Sequence, residues 1–234
     1  MTTFQDQHER LKFRFAVAMV ISFVTLLWII KAMELAGDTS YSYLGILPRT
    51  LKGSLGIITG PLVHGDPIHL LSNTLPFMVL GVLLFYFYHK IALEIFLWIY
   101  FATGFYIWLL ARDAYHIGAS GVVYGMASFL LFSGIFKGSK QLMAISGVII
   151  FLYGSMLYGV FPNYVDSDVS WEAHLIGAFV GVFLAWWFRK SKTDIEHMDD
   201  DHSDDQQDEN YWQQATCSDN IEVHYTYKES KHDE

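Results

Sequence analysis

Phe77-Met78-Val79-Leu80-Gly81-Val82-Leu83-Leu84-Phe85-Tyr86-Phe87-Tyr88 carries no charge, and its apolar side chains leave no polar stripe. A helix on the surface of a soluble domain keeps such a stripe at the 3.6-residue period, so a helix apolar all round belongs in a large core or in a membrane. Extended back to residue 68, the run reaches the roughly 20 apolar residues that cross a bilayer. Similar runs occupy 15–33, 91–111, 120–136, 142–160 and 171–188, with the runs at 120–136 and 171–188 the short ones. Six runs so closely spaced are too many for a soluble domain. The expectation is an all-α integral membrane protein with six transmembrane helices.

The charges lie outside these runs and unevenly. Of 24 Asp and Glu, 14 fall in residues 191–234 with only 3 of the 15 Lys and Arg, so the last segment carries −11 and the rest +2. The chain therefore reads as an N-terminal segment (1–14), a membrane domain (15–190) and an acidic tail (191–234), largely disordered because its Asp blocks repel one another. Within the tail, a small strand is conceivable at 221–227, and His197 and His202 could bind metal ions loosely. A single Cys excludes a disulfide-stapled secreted scaffold. The lack of a basic patch excludes nucleic acid as a partner. A cytoplasmic protein partner for the acidic tail is left open.

Lys and Arg are retained on the cytoplasmic side. With six spans and the N-terminus inside, nine of those within residues 1–192 fall inside and four (Lys31, Arg49, Lys52 and Arg112) outside. Both termini are thus expected in the cytoplasm, with the first helix an uncleaved signal anchor. The absence of organelle-targeting signals points to a bacterial inner membrane. The first outside loop, about 34–67, mixes apolar and turn residues, as does a segment lying in the membrane interface.

Polar side chains within spanning helices cost enough that each asks for a partner or a function. His69 and Asn73 open the second helix, Ser120 the fourth and His174 the sixth. Those three helices start on the same face, so the four residues arrive at similar depth. His69 and Asn73, four apart, share a helix face. They read either as hydrogen-bonding glue between helices or as part of a site. Ser120 lies in Gly118-Ala119-Ser120-Gly121, where unpaired N–H groups and the helix dipole favour a developing oxyanion. It reads as a helix N-cap, as a nucleophile, or as both.

Gly121 and Gly125 in the fourth helix and Gly177 and Gly181 in the sixth form two Gly-x-x-x-Gly faces, a device for close helix approach. Such an approach would bring Ser120 to His174, whose neutral imidazole can take the hydroxyl proton. No carboxylate is placed to orient the imidazole, since Glu172 projects to another side, so a dyad is expected. Tyr124, one turn below Ser120, is positioned to pack against the ring. The rival chemistry is zinc held by His64, His69 and His174, but no His-Glu-x-x-His spacing exists, and neither metal nor cofactor is expected.

These residues resemble the rhomboid family of intramembrane serine proteases, over about residues 13–189. The resemblance rests on Gly118-Ala119-Ser120-Gly121 with Val122-Val123-Tyr124, on His69-Leu70-Leu71-Ser72-Asn73, and on Ala173-His174-Leu175-Ile176-Gly177 with Gly181, arranged along the chain in that family's order. It implies a six-helix rhomboid-like bundle in which Ser120 attacks the scissile carbonyl and His174 acts as general base and then acid. Tyr124 would support the imidazole. His69, Asn73 and the Ser120 N–H would form the oxyanion hole, with Gly118 and Gly121 in support and His64 in a structural role beneath the first outside loop. Substrates would be single transmembrane helices with small residues at the cut and helix-weakening residues below it, entering from the bilayer beside the connection at 161–170.

Two features depart from many members of that family. The Trp-Arg pair of the first outside loop is missing, and Phe85 stands where many have Glu. A rhomboid-like chaperone that holds transmembrane clients without cutting them is the alternative. A transporter would show repeated halves, which the sequence lacks.

Overall fold

The computed structural model describes residues 4–164 and 169–191. The acidic tail, with its histidines and the strand at 221–227, lies outside the described residues, as do residues 165–168 of the last connection. All described residues belong to one unit, Met1–Ile195.

Six long helices follow one another: α1 (Phe4–Ala36), α2 (Pro67–Phe87), α3 (Ala92–Leu110), α4 (Ser120–Lys137), α5 (Lys140–Tyr153) and α6 (Trp171–Trp187). Among the described residues no β-strand forms; the nearest approach is an isolated bridge between Ile46 and His116. Five of the six helices are long and apolar enough to cross a membrane, and the chain is a multi-pass integral membrane protein.

Two helices differ from the sequence expectation. With 33 residues, α1 is about 50 Å long at 1.5 Å per residue and starts well before residue 15. On this extension Glu9 pairs with Lys12 at 2.9 Å and accepts the Tyr86 hydroxyl at 2.9 Å, fixing it to the end of α2. The second difference is α5. Its apolar run goes on to Val160, but the α-helix stops after 14 residues at Tyr153 and gives way to a 3-10 stretch, Gly154–Val160. Fourteen residues rise only about 21 Å against a hydrocarbon core of about 30 Å. So α5, rather than α4 or α6, is the short helix.

Packing is set by small residues at helix crossings and aromatic rings between them. A Cβ on Gly177 would lie 2.0 Å from the Gly121 carbonyl oxygen, and one on Gly181 would lie 2.2 Å from that of Gly125. Backbone therefore meets backbone along both Gly-x-x-x-Gly faces, and α4 and α6 form the tightest pair. Gly81 gives α2 a similar approach to Val20 of α1, where a Cβ would meet the valine at 2.8 Å. Phe23, Phe77 and Phe96 fill the space among α1, α2 and α3, with Phe23 stacked on Phe77 at 4.8 Å. Phe85 is buried against Phe96 at 6.0 Å, so aromatic contact occupies the place of an interhelical polar tie.

The α1–α2 loop contains two single-turn helices, Leu51–Ser54 and Gly56–Thr59. Leu51, Leu55 and Ile58 on these turns are exposed, as apolar side chains are where a segment lies in the membrane interface. The loop's other side packs on the α3–α4 connection. Ile46 and His116 exchange backbone hydrogen bonds at 2.9 Å in both directions, and the Gly118 N–H donates to the Gly60 carbonyl at 3.0 Å. These bonds fix the approach of the chain to Ser120.

Candidate active site

The first turns of α2, α4 and α6 converge on one cavity of about 240 Å³, lined by His69, Asn73, Pro76, Ser120, Tyr124 and His174 among others. Each helix start has a local cause. At α2, Asp66 is the N-cap, its carboxylate accepting the N–H groups of Ile68 at 2.7 Å and His69 at 2.8 Å, with Pro67 at the first helical position. Those two N–H groups hold the Asp66 carboxyl below its ordinary 3.8. At α6, Ser170 caps the helix by accepting the Ala173 N–H at 3.3 Å, and its hydroxyl meets His116 Nδ1 at 2.6 Å.

Ser120 is not a capping residue. Ala119 holds the N-cap position of α4 and no side chain caps that end, so the hydroxyl is not engaged in closing the helix. The turn before it requires Gly118, whose φ is +102° and whose Cβ would lie 2.9 Å from the His69 ring. The Ala119 N–H donates to His64 Nε2 at 3.2 Å. His64 is buried, and burial, ahead of the neighbouring His69, pulls its pKa from 6.5 to about 4. The ring is therefore a neutral acceptor at physiological pH.

On the opposite wall, the His174 ring stacks on Tyr124, with centroids 4.2 Å apart and planes 6° from parallel. Its Nδ1 donates to the Gly159 carbonyl at 2.8 Å, a bond that assigns the tautomer and leaves Nε2 the unprotonated nitrogen. The Tyr124 hydroxyl donates to the Met156 carbonyl at 2.7 Å. Both acceptors lie on the 3-10 stretch after α5. Gly159 has room for no side chain: a Cβ there would lie 2.0 Å from the Tyr124 hydroxyl and 3.2 Å from His174 Nδ1.

Of the residues singled out from sequence, Ser120, His174, His69, Asn73 and Tyr124 line this cavity, whereas His64, Gly118 and Gly121 lie outside its lining, and not every contact is made. Among the described residues Ser120 Oγ and His174 share the cavity without a hydrogen bond between them; nucleophile–base contacts are often long before substrate binds. Asn73 donates to the His69 carbonyl at 3.0 Å within its own helix, which leaves its second amide hydrogen for the cavity. Sequence reasoning missed Gly159, Met156, Pro76 and His116. Pro76 lies inside α2 and deprives the Ser72 carbonyl of its helical donor at the cavity wall. Its only sequence signal is a proline within an apolar run.

The Rhomboid domain matches residues 52–191, which include every residue of this cavity. The chain belongs to the rhomboid family. Rhomboids are a family of intramembrane proteases. An uncharacterized protein of Mycobacterium tuberculosis is 33% identical over 178 residues, covering 71% of this chain and 72% of its own. One from Mycobacterium bovis matches to the same extent. One from Mycobacterium leprae is 30% identical over 194 residues, covering 77% of this chain and 74% of its own.

For a rhomboid without the Trp-Arg pair, the first loop is tied from different positions. Trp108 Nε1 donates to the Thr50 carbonyl at 2.9 Å, and Arg49 donates to the Ala111 carbonyl at 2.8 Å while pairing with Asp113. A tryptophan and an arginine still hold the loop, now from separate segments.

Proposed function

We propose that this rhomboid is an intramembrane serine endopeptidase that cleaves transmembrane segments of membrane proteins. Ser120 Oγ attacks the scissile carbonyl as His174 Nε2 takes its proton, and the imidazolium then donates that proton to the leaving amine. The tetrahedral oxyanion is held by the Ser120 N–H, which has no intrahelical acceptor at the first helical position, together with His69 and Asn73. Water then hydrolyses the acyl-enzyme, with His174 again the base, in a cavity roomy enough for several waters at about 30 Å³ each. The observation that carries the reading is the pinned imidazole: Tyr124 stacks on it and Gly159 binds Nδ1, which leaves Nε2 to act as base, and His174 and Ser120 line the same cavity.

The positive-inside bias supports both termini in the cytoplasm of a bacterial inner membrane, with the cavity at the outer face. The substrate helix enters from the bilayer, and residues 191–234 are an acidic tail that follows the membrane domain at 15–190.

Incubation of the detergent-purified protein with a fluorescent transmembrane substrate tests the proposal. Ser120→Ala and His174→Ala are each expected to lower turnover by at least about 10³-fold, as loss of one member of a nucleophile–base pair does. Cleavage at the wild-type rate in either variant would remove the assignment. A non-cleaving holder of transmembrane clients would share the same cavity, in keeping with the missing Ser120–His174 hydrogen bond. It is distinguished by a wild type that binds the substrate and never cuts it.

A further inference from the structure

Lys31 and Glu34, near the end of α1, take no part in the chemistry above, yet they are among the most buried charges of the described residues. Each is 5% exposed, and they pair at 2.7 Å. A lysine near the end of a membrane helix ordinarily extends its ammonium toward water. This one turns inward, and its three N–H donors are all taken: by Glu34 Oε2 at 2.7 Å, the His64 carbonyl at 3.0 Å and the Gly65 carbonyl at 3.0 Å. The other Glu34 oxygen accepts the Tyr41 N–H at 2.8 Å. Every polar atom of the pair is assigned, and two of the assignments fall on one turn.

That turn has two connections to the site. Gly65 precedes the Asp66 cap that starts α2, the helix bearing His69 and Asn73. The His64 ring accepts the Ala119 N–H, one residue before Ser120. A shift of the turn therefore moves the oxyanion side chains and the approach to the nucleophile together.

We infer that Lys31 and Glu34 are positioning residues for the Ser120 site, acting through the His64–Gly65 turn and the Ala119 N–H; this rests on the reading of Ser120 as nucleophile. A fold-stabilising role alone explains the pair poorly. Buried ion pairs contribute little net stability, and replacing both partners with neutral groups of similar size is often neutral. The pair's bonds to consecutive carbonyls beside the site are what a positioning role requires.

The test uses the double variant Lys31→Met/Glu34→Gln, which removes both charges and leaves neither unpaired. Three quantities are read on the full chain in detergent: the thermal midpoint, the rate at which a fluorophosphonate probe labels Ser120, and hydrogen exchange at the Ala119 amide. The midpoint is expected to stay close to wild type, while labelling slows between roughly tenfold and a hundredfold and the Ala119 amide exchanges faster. With a transmembrane substrate, kcat is expected to fall while KM holds. If the double variant does not fold, Lys31→Gln/Glu34→Gln also leaves no charge unpaired, keeps an amide donor at position 31 and an acceptor for the Tyr41 N–H, and is expected to slow labelling by a smaller factor. Wild-type labelling and wild-type Ala119 exchange in the folded variants would overturn this inference alone. A wild type that does not label would overturn the nucleophile reading and this inference with it.

Discussion

At the scale of single residues, the least visible contributor to the proposed dyad is the group that stands where an orienting acid would. Where serine hydrolases commonly orient the imidazole with a carboxylate, His174 Nδ1 bonds the Gly159 carbonyl. The side chains of Ser120, His174, Tyr124, His69 and Asn73 were legible in the sequence because polar groups in apolar helices stand out. A backbone carbonyl has no such signature, and Gly159 lies in an apolar run like any other glycine. Because a Cβ at Gly159 would lie 2.0 Å from the Tyr124 hydroxyl, Gly159→Ala must displace the stacked pair. Turnover is expected to drop about 100-fold, the effect of a displacement near 1 Å. Gly154→Ala is the control, since its Cβ would meet only Ile150, at 3.9 Å, and its turnover is expected to match wild type. Equal turnover in the two variants would show that the Gly159 contact does not orient the base.

At the scale of elements, the close pairing of α4 and α6 was legible from two Gly-x-x-x-Gly faces, whereas the end of α5 was not. Hydropathy runs unbroken from Leu142 to Val160, and an α-helix and a 3-10 helix can carry the same apolar composition, so nothing in the run marks the change after Tyr153. The change matters because both backbone acceptors of the Tyr124–His174 pair lie beyond it. The α4–α6 crossing makes its own prediction. A side chain at Gly181 would press on the Gly125 carbonyl at 2.2 Å and the Phe129 N–H nitrogen at 2.9 Å, so backbone, not a flexible side chain, has to yield. Gly181→Val is expected to destabilise the protein by about 1 to 3 kcal/mol, the usual cost of overpacking. Gly147→Ala, with nothing within 4 Å of its Cβ and inside a helix where alanine is the better former by about 1 kcal/mol, is expected to leave the thermal midpoint at or slightly above wild type. The midpoints of the two variants in one detergent decide it.

At the scale of the whole molecule, the loops that hold the site also give the fold an acid-sensitive point. His64 accepts the Ala119 N–H only while neutral, and burial lowers its pKa from 6.5 to about 4. A histidine depressed in the folded state takes up its proton first in the unfolded chain. Above pH 6.5 neither state is protonated and the group leaves stability unchanged. Between about 6.5 and 4 the unfolded state binds more protons, so stability falls as the pH falls, by up to about 3 kcal/mol for this one group. His116, whose pKa is also lowered, by burial above all, acts in the same direction. Asp66, already below 3.8 through its bonds to the His69 and Ile68 N–H groups, loses its contribution only at lower pH and so does not confound the window. The thermal midpoint in detergent is expected to be level from pH 8 to 7 and to decline from 6.5 toward 4. In His64→Gln, whose side-chain oxygen can accept the Ala119 N–H without titrating, the decline should be shallower. A wild-type midpoint that stays level to pH 4.5, or a His64→Gln profile of unchanged slope, would mean that the junction between the first loop and the Ser120 turn does not depend on a neutral His64.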